Sequence, residues 1–349
     1  MRTIVVSGLI LCLAQAVVAE DSNAPAFSRE EIRFASGRFR LAGDLLTPAG
    51  TGSRPAVIYV WGAGPTNRNA HIQNSPVLKT FLARGYAVFL YDKPGSGEST
   101  GELDDRHLFK ERASILGDAL ALLKQHAGID PRAIGLYGSS QASYVMAVAL
   151  AETNDVAFVI AWSCPMESSI RQGAFLVRNY VLCDGGSAAQ ATAAEEAYAR
   201  RARARGYAEY HAAAEVLEGI PAIRDGLGWA GVASEDQFTP ADTTSESFLD
   251  PGATVTSLDI PVLALFAEND RQIDPVQGAQ AYRRLFAAGG HALSAVVTIP
   301  GADHNMNLSP RGCMQDQKDG YQAVGGKVLS PVFLETVAEW LTRLKVHMD

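Results

Sequence analysis

The sequence predicts an α/β protein with a mostly parallel central sheet and helices on both faces. Strand-length apolar runs recur at 56–60, 86–91, 133–137, 156–161, 262–266 and 295–299. Helical segments stand between several of them, which is the pattern of parallel strands joined by crossovers. The runs are nearly continuous rather than alternating, as suits strands covered on both faces.

In chain order, residues 31–34 and 39–45 read as two early strands, and Gly37 between them marks a hairpin turn. The run 56–60 is a central strand. Residues 77–84 form a short helix stopped by Gly85, and 86–91 is the next strand. Residues 108–126 carry Ile115, Leu116, Ala119, Leu122 and Leu123 at helical spacing and read as one long helix. Strand 133–137, helix 144–151 and strand 156–161 follow. The alternation breaks at 168–257, which is rich in Ala, Arg and Glu, and 191–217 within it reads as one or two helices. Arg200, Arg201, Arg203 and Arg205 cluster there as a solvated helix face. Strands 262–266 and 295–299 and a final helix over 331–345 complete the pattern. The expected organisation is a leader over 1–19, a core over 20–167, a helical cap inserted at 168–257, and the rest of the core over 258–349.

With 349 residues, 47% apolar and 19% charged, the chain can bury a sizeable core. Its net charge of -8 argues against general nucleic-acid or anionic-membrane binding. Met1-Arg2-Thr3, the apolar run 4–13 and Val17-Val18-Ala19 before Glu20 form the pattern of a secretory signal peptide. A secreted or periplasmic location without a stable membrane anchor is therefore expected. Leu11 is bulky where a lipid attached at Cys12 would require a small residue. Cys164, Cys183 and Cys313 remain after the leader, so one disulfide at most can form and its pairing is open. No Cys-x-x-Cys or Cys/His cluster is present, and neither a metal nor a cofactor is expected.

Strand 133–137 runs into Gly138-Ser139-Ser140-Gln141-Ala142, and a helix follows. A tight strand-to-helix turn of this kind holds a serine hydroxyl exposed at a helix N-terminus, and small flanking residues let the two backbones approach. Ala142 stands where a glycine is usual, and Ser139 and Ser143 are rival nucleophiles. Taken alone, the turn also reads as an ordinary Gly/Ser connection. Three more segments follow strands: Trp61-Gly62-Ala63-Gly64-Pro65, Asp92-Lys93-Pro94-Gly95-Ser96-Gly97-Glu98-Ser99, and the pair Glu268-Asn269-Asp270 and Gly301-Ala302-Asp303-His304. No Gly-Lys-Ser/Thr follows the first, so it is not a nucleotide loop.

On these segments the chain resembles the α/β-hydrolase superfamily. More narrowly, it is similar to bacterial secreted esterases of the serine aminopeptidase, acylglycerol lipase and dienelactone hydrolase-like group. The resemblance spans about 31–345 and is weakest in the insertion. It implies that Ser140 is the nucleophile, Asp270 the acid and His304 the base, in the order this fold uses. Asp274, Asp303 and Glu268 are rivals for the acid. It also implies an oxyanion hole formed by the N–H groups of Ala63 and Gln141, with Trp61 replacing the family's usual histidine. The Asp92 loop is read as structural. The implied activity is hydrolysis of a small to medium carboxylic ester through an acyl-enzyme. The alternatives are an aminopeptidase or amidase on the same triad, and a non-catalytic ligand-binding member. Phe175, Leu176, Tyr180, Tyr198 and Tyr207 read equally as pocket lining and as cap core.

Overall fold

A computed structural model describes residues 26–228, 231–242 and 245–348. The expected leader, 1–19, and the location it implies lie outside the described residues. The chain begins with an antiparallel hairpin of β1 (Phe27–Ser36) and β2 (Phe39–Pro48). Gly37 turns it with φ +51°, a conformation that glycine adopts without strain. Then come β3 (Arg54–Val60), α1 (Arg68–Asn74), α2 (Pro76–Ala83), β4 (Ala87–Tyr91), α3 (Leu108–Lys124), β5 (Ile129–Ser139), α4 (Ala142–Glu152) and β6 (Val159–Trp162). The insertion holds α5 (Ser169–Cys183), α6 (Ala188–Arg203), α7 (Tyr207–Glu218), a π-helical turn at Ala222–Leu227, a 3₁₀ turn at Glu246–Phe248 and α8 (Pro251–Thr254). The core resumes with β7 (Val262–Ala267), α9 (Pro275–Ala287), β8 (Ala295–Ile299), α10 (Met314–Lys318) and α11 (Pro331–Met348).

The strands form one eight-stranded sheet in the order β1-β2-β4-β3-β5-β6-β7-β8. Pairing is antiparallel across β1, β2 and β4, and parallel from β4 to β8. Successive strand residues face opposite sides, and both sides are apolar. Ile58 and Val60 join Phe109, Leu116, Val145 and Tyr282 from α3, α4 and α9. Val57 and Tyr59 join Phe81, Trp340 and Leu341 from α2 and α11. This double coverage explains why the strand runs lack alternation.

Five helices, α1, α5, α8, α9 and α10, are not among those the sequence predicts. The 191–217 segment is two helices, α6 and α7, which part before Gly206. The cap has its own small core of Val177, Val181, Ala191, Ala194, Ala197, Leu217, Ile220 and Ile223. Its alanines let α6 lie close against α5; a Cβ at Gly173 of α5 would stand 2.3 Å from the Tyr198 hydroxyl. The Cys183–Cys313 disulfide ties the end of α5 to the start of α10, and Cys164 is free and buried. Among the described residues no helix is long and apolar enough to cross a membrane.

Candidate active site

Ser140 stands in the turn between β5 and α4 with φ +54°, a left-handed conformation that a serine adopts only when its surroundings impose it. Its N–H donates to the Ser163 carbonyl at 3.1 Å, just beyond β6. The crowding behind the turn explains its glycine. A Cβ at Gly138 would lie 2.9 Å from the Ala142 Cβ and from the Met146 methyl. Ala142 is thus accommodated because position 138 has no side chain. Ser143 is buried on α4 and donates its hydroxyl to the Pro165 carbonyl, and Ser139 ends β5. Cys164 lies behind the turn with Sγ 3.5 Å from the Gly138 carbonyl, and burial pushes its thiol pKa up.

His304 and Asp270 meet. His304 Nδ1 is 2.8 Å from Asp270 Oδ2, and both side chains are buried. Asp270 Oδ1 accepts from the Gln272 N–H at 2.8 Å and the Ile273 N–H at 3.1 Å, so the carboxylate is fixed from both sides. For His304, burial opposes the charged form, but Asp270, by charge and hydrogen bond, and then Asp303 outweigh it and raise its pKa. The three rivals for the acid are engaged elsewhere. Asp274 caps α9 through the Val276 and Gln277 N–H groups. Glu268 accepts from the Gly301 N–H at 2.7 Å, and Asp303 Oδ1 accepts from the Asn305 and Asn307 N–H groups. Asp270 follows β7 and His304 follows β8, and both strands run parallel to β5. All three residues therefore lie at the C-terminal edge of the sheet, where this fold class binds ligands. Among the described residues no hydrogen bond joins Ser140 to His304.

The loop after β3 packs against the turn: a Cβ at Gly62 would stand 3.5 Å from the Ser140 Cβ. Neither the Ala63 N–H nor the Gln141 N–H donates to another described residue. Trp61 is an anchor. Its Nε1 donates to the Tyr91 carbonyl at 2.6 Å, and its ring lies 4.5 Å from that of Tyr59. Two cations that the sequence does not single out hold the loop from behind. Arg112 of α3 donates to the Trp61 carbonyl and, at 2.7 Å, to Gln141 Oε1. Lys93 Nζ donates to the Gly62 carbonyl at 3.0 Å and to the Gly64 carbonyl. Burial and then the charge of Arg112 bring the Lys93 pKa down to about 7. Burial lowers that of Arg112 to about 10. A signal for Arg112 is present in the sequence, since it shares the apolar stripe of α3 with Phe109, Ala113 and Leu116.

The Asp92 loop is joined to this frame by Arg68. That guanidinium, 2% exposed, pairs with Asp44 at 2.7 Å, with Asp92, and with Glu98 at 3.0 Å. In the cap, Leu176 and Tyr180 are buried, and Tyr207 stacks with Tyr210 and meets Phe238 edge-on. Tyr198 packs on Gly173. Among the described residues no group of three His, Cys, Asp or Glu side chains could hold a metal ion.

The sheet and its helices are those of the α/β-hydrolase superfamily, and the family match makes the chain a serine hydrolase of that superfamily. The chain belongs to the S15 peptidase family: the family described as X-Pro dipeptidyl-peptidase (S15 family) matches residues 36–302. Among curated proteins no sequence matches the chain. Solved structures share the fold at low identity. The protein DcsB, solved as a complex with its substrate analogue, aligns with TM-score 0.53 and 17% identity over 91% of this chain and 99% of its own. An esterase of Pyrococcus furiosus aligns with TM-score 0.51 and 17% identity over 91% and 90%. The acylaminoacyl peptidase of Pyrococcus horikoshii aligns with TM-score 0.51 and 15% identity over 90% of this chain and 41% of its own.

Proposed function

We propose that the protein hydrolyses a small to medium carboxylic ester through an acyl-enzyme on Ser140, with His304 as general base and Asp270 as its orienting acid. The observation that carries this reading is the buried 2.8 Å Asp270–His304 pair on the same sheet edge as the strained Ser140 turn. His304 takes the proton of Ser140 as its oxygen attacks the ester carbonyl, and Asp270 holds the imidazole tautomer and stabilises the imidazolium. Contacts between nucleophile and base tighten when the reacting complex forms. The Ala63 and Gln141 N–H groups receive the oxyanion, and as backbone donors they need no reorganisation when charge develops. His304 then protonates the leaving alcohol and activates water to release the acid.

A second reading is a peptidase that releases an Xaa-Pro dipeptide, favoured by the family match over residues 36–302. One experiment separates the two: initial rates of the mature protein on p-nitrophenyl butyrate and on Gly-Pro-p-nitroanilide. The ester reading expects turnover of the first and little of the second; the reverse result would replace it with the peptidase reading. Ser140→Ala should lower either rate by about 10⁴–10⁶-fold, and undiminished turnover would remove Ser140 from the mechanism. The secreted or periplasmic location is proposed on the leader pattern, with support from the Cys183–Cys313 disulfide, since such bonds persist in oxidising compartments.

A further inference from the structure

We infer that Lys93 is a positioning residue that polarises the Gly62–Ala63 peptide from behind, so that the Ala63 N–H meets the oxyanion as a stronger donor, while Arg112 fixes the two halves of the hole relative to each other. This inference rests on the reading of Ala63 and Gln141 as oxyanion donors.

No peptide bond among the described residues is cis, so the Gly62 carbonyl and the Ala63 N–H point in opposite directions from a single conjugated plane. The Lys93 ammonium lies 3.0 Å from the carbonyl oxygen of that plane. A cation at the oxygen draws electron density through the amide and strengthens the N–H at its far end, as hydrogen bonds in a chain reinforce one another. Lys93 also holds the Gly64 carbonyl, so the Gly62–Ala63 amide and the Gly64–Pro65 amide are tied to one side chain. Arg112 spans the remaining gap. One of its terminal nitrogens binds the Trp61 carbonyl on the loop and the other binds the Gln141 side chain beside the nucleophile.

The charges are the unusual feature. Lys93 is 7% exposed and Arg112 is 4% exposed, and neither has a carboxylate partner among the described residues. Buried cations without counter-charges are costly, and two near each other more so. The Lys93 pKa of about 7 records that cost, with burial the larger cause and Arg112 the second. A neutral donor such as Gln would latch the same carbonyls at lower cost. What only a cation supplies is a positive field, present in full below the Lys93 pKa of about 7, behind the place where an oxyanion forms, in a site where such fields act strongly.

The test compares Lys93→Met, which removes the charge, with Lys93→Arg, which keeps it. Rates on whichever reporter ester or anilide turns over are expressed per Ser140 labelled to its end point by a fluorophosphonate, so unfolded protein does not count. Lys93→Met is expected to lower kcat about tenfold at unchanged KM, less than the ~10²–10³-fold loss on removing an oxyanion donor itself. It should weaken binding of a trifluoromethyl ketone, which carries the oxyanion, by the same factor, and Lys93→Arg should restore most of both. If Lys93→Met gives no folded protein, Lys93→Gln reads the same split. Unchanged kcat and ketone affinity in the neutral variant, or equal losses in the neutral and charged variants, would overturn the inference. Turnover that survives Ser140→Ala would instead refute the reading of the site.

Discussion

Ser140 is held at φ +54° by the Ser163 carbonyl in front and the Gly138–Ala142 contact behind. As the proposed general base, His304 sets a pH dependence whose sign follows from its raised pKa. Burial opposes the imidazolium, yet Asp270 and Asp303 more than offset it, so the base loses its proton above histidine's ordinary 6.5. The acidic limb of kcat/KM should therefore have its inflection above pH 6.5, measurable as a pH–rate profile on a reporter substrate. Asp270→Asn should move that limb to lower pH and lower kcat by about 10²–10⁴-fold; a limb that stays in place would show that Asp270 does not act on His304. The same shift means that the folded state holds the proton more tightly than the unfolded one. The stabilisation from the pair is full below pH 6.5 and is lost as pH rises through the native value. The proposed site residues could be singled out in the sequence because each sits in a short segment directly after a strand. Lys93 and Arg112 could not, since their role depends on burial beside carbonyls distant in sequence. Only the charge in the α3 apolar stripe hinted at Arg112.

At the scale of elements, the strands were legible from their apolar runs, because burial on both faces leaves little room for polar residues. The helices were less so. α9 carries an Asp274 cap and Pro275 at its first position, a start signal that its polar surface partly masks. α1 and α10 have seven and five residues, too short for periodicity to show. The turn between β5 and α4 makes opposite demands on its two small residues. Gly138→Ala should place a methyl against Ala142 and Met146 and destabilise the fold by about 1–3 kcal/mol, as overpacking does. Ala142→Gly should cost about 1 kcal/mol through helix propensity and leave turnover near the parent value. Chemical denaturation with parallel rate measurements checks both, and the reverse order of costs would contradict the packing account. Arg68→Met leaves the buried Asp92 without its cation, while Asp44 keeps Arg29, and should destabilise by about 3–5 kcal/mol.

For the whole molecule, the sequence implied a parallel sheet interrupted by a helical insertion, but not the strand order, in which β4 lies between β2 and β3. Nor could it choose among three cysteines, because pairing is decided by where α5 and α10 meet. The resulting Cys183–Cys313 bond spans 130 residues and ties the cap to the segment that follows His304. Gln317 of α10 reaches both Asp303, at 3.4 Å, and Gln272, at 3.0 Å, so the bonded segment also braces the loops that carry Asp270 and His304. A loop of that length constrains the unfolded chain by about 4–5 kcal/mol. Reduction should therefore lower Tm by many degrees in a calorimetric scan, and an unchanged Tm would contradict the pairing. The central claim is that Ser140 is a nucleophile activated by His304. It is tested most directly by treating the protein with a fluorophosphonate and locating the adduct by peptide mass spectrometry. A single adduct on Ser140, formed far more slowly in His304→Ala, is the expected result; no adduct, or one on Ser139 or Ser143, would contradict it.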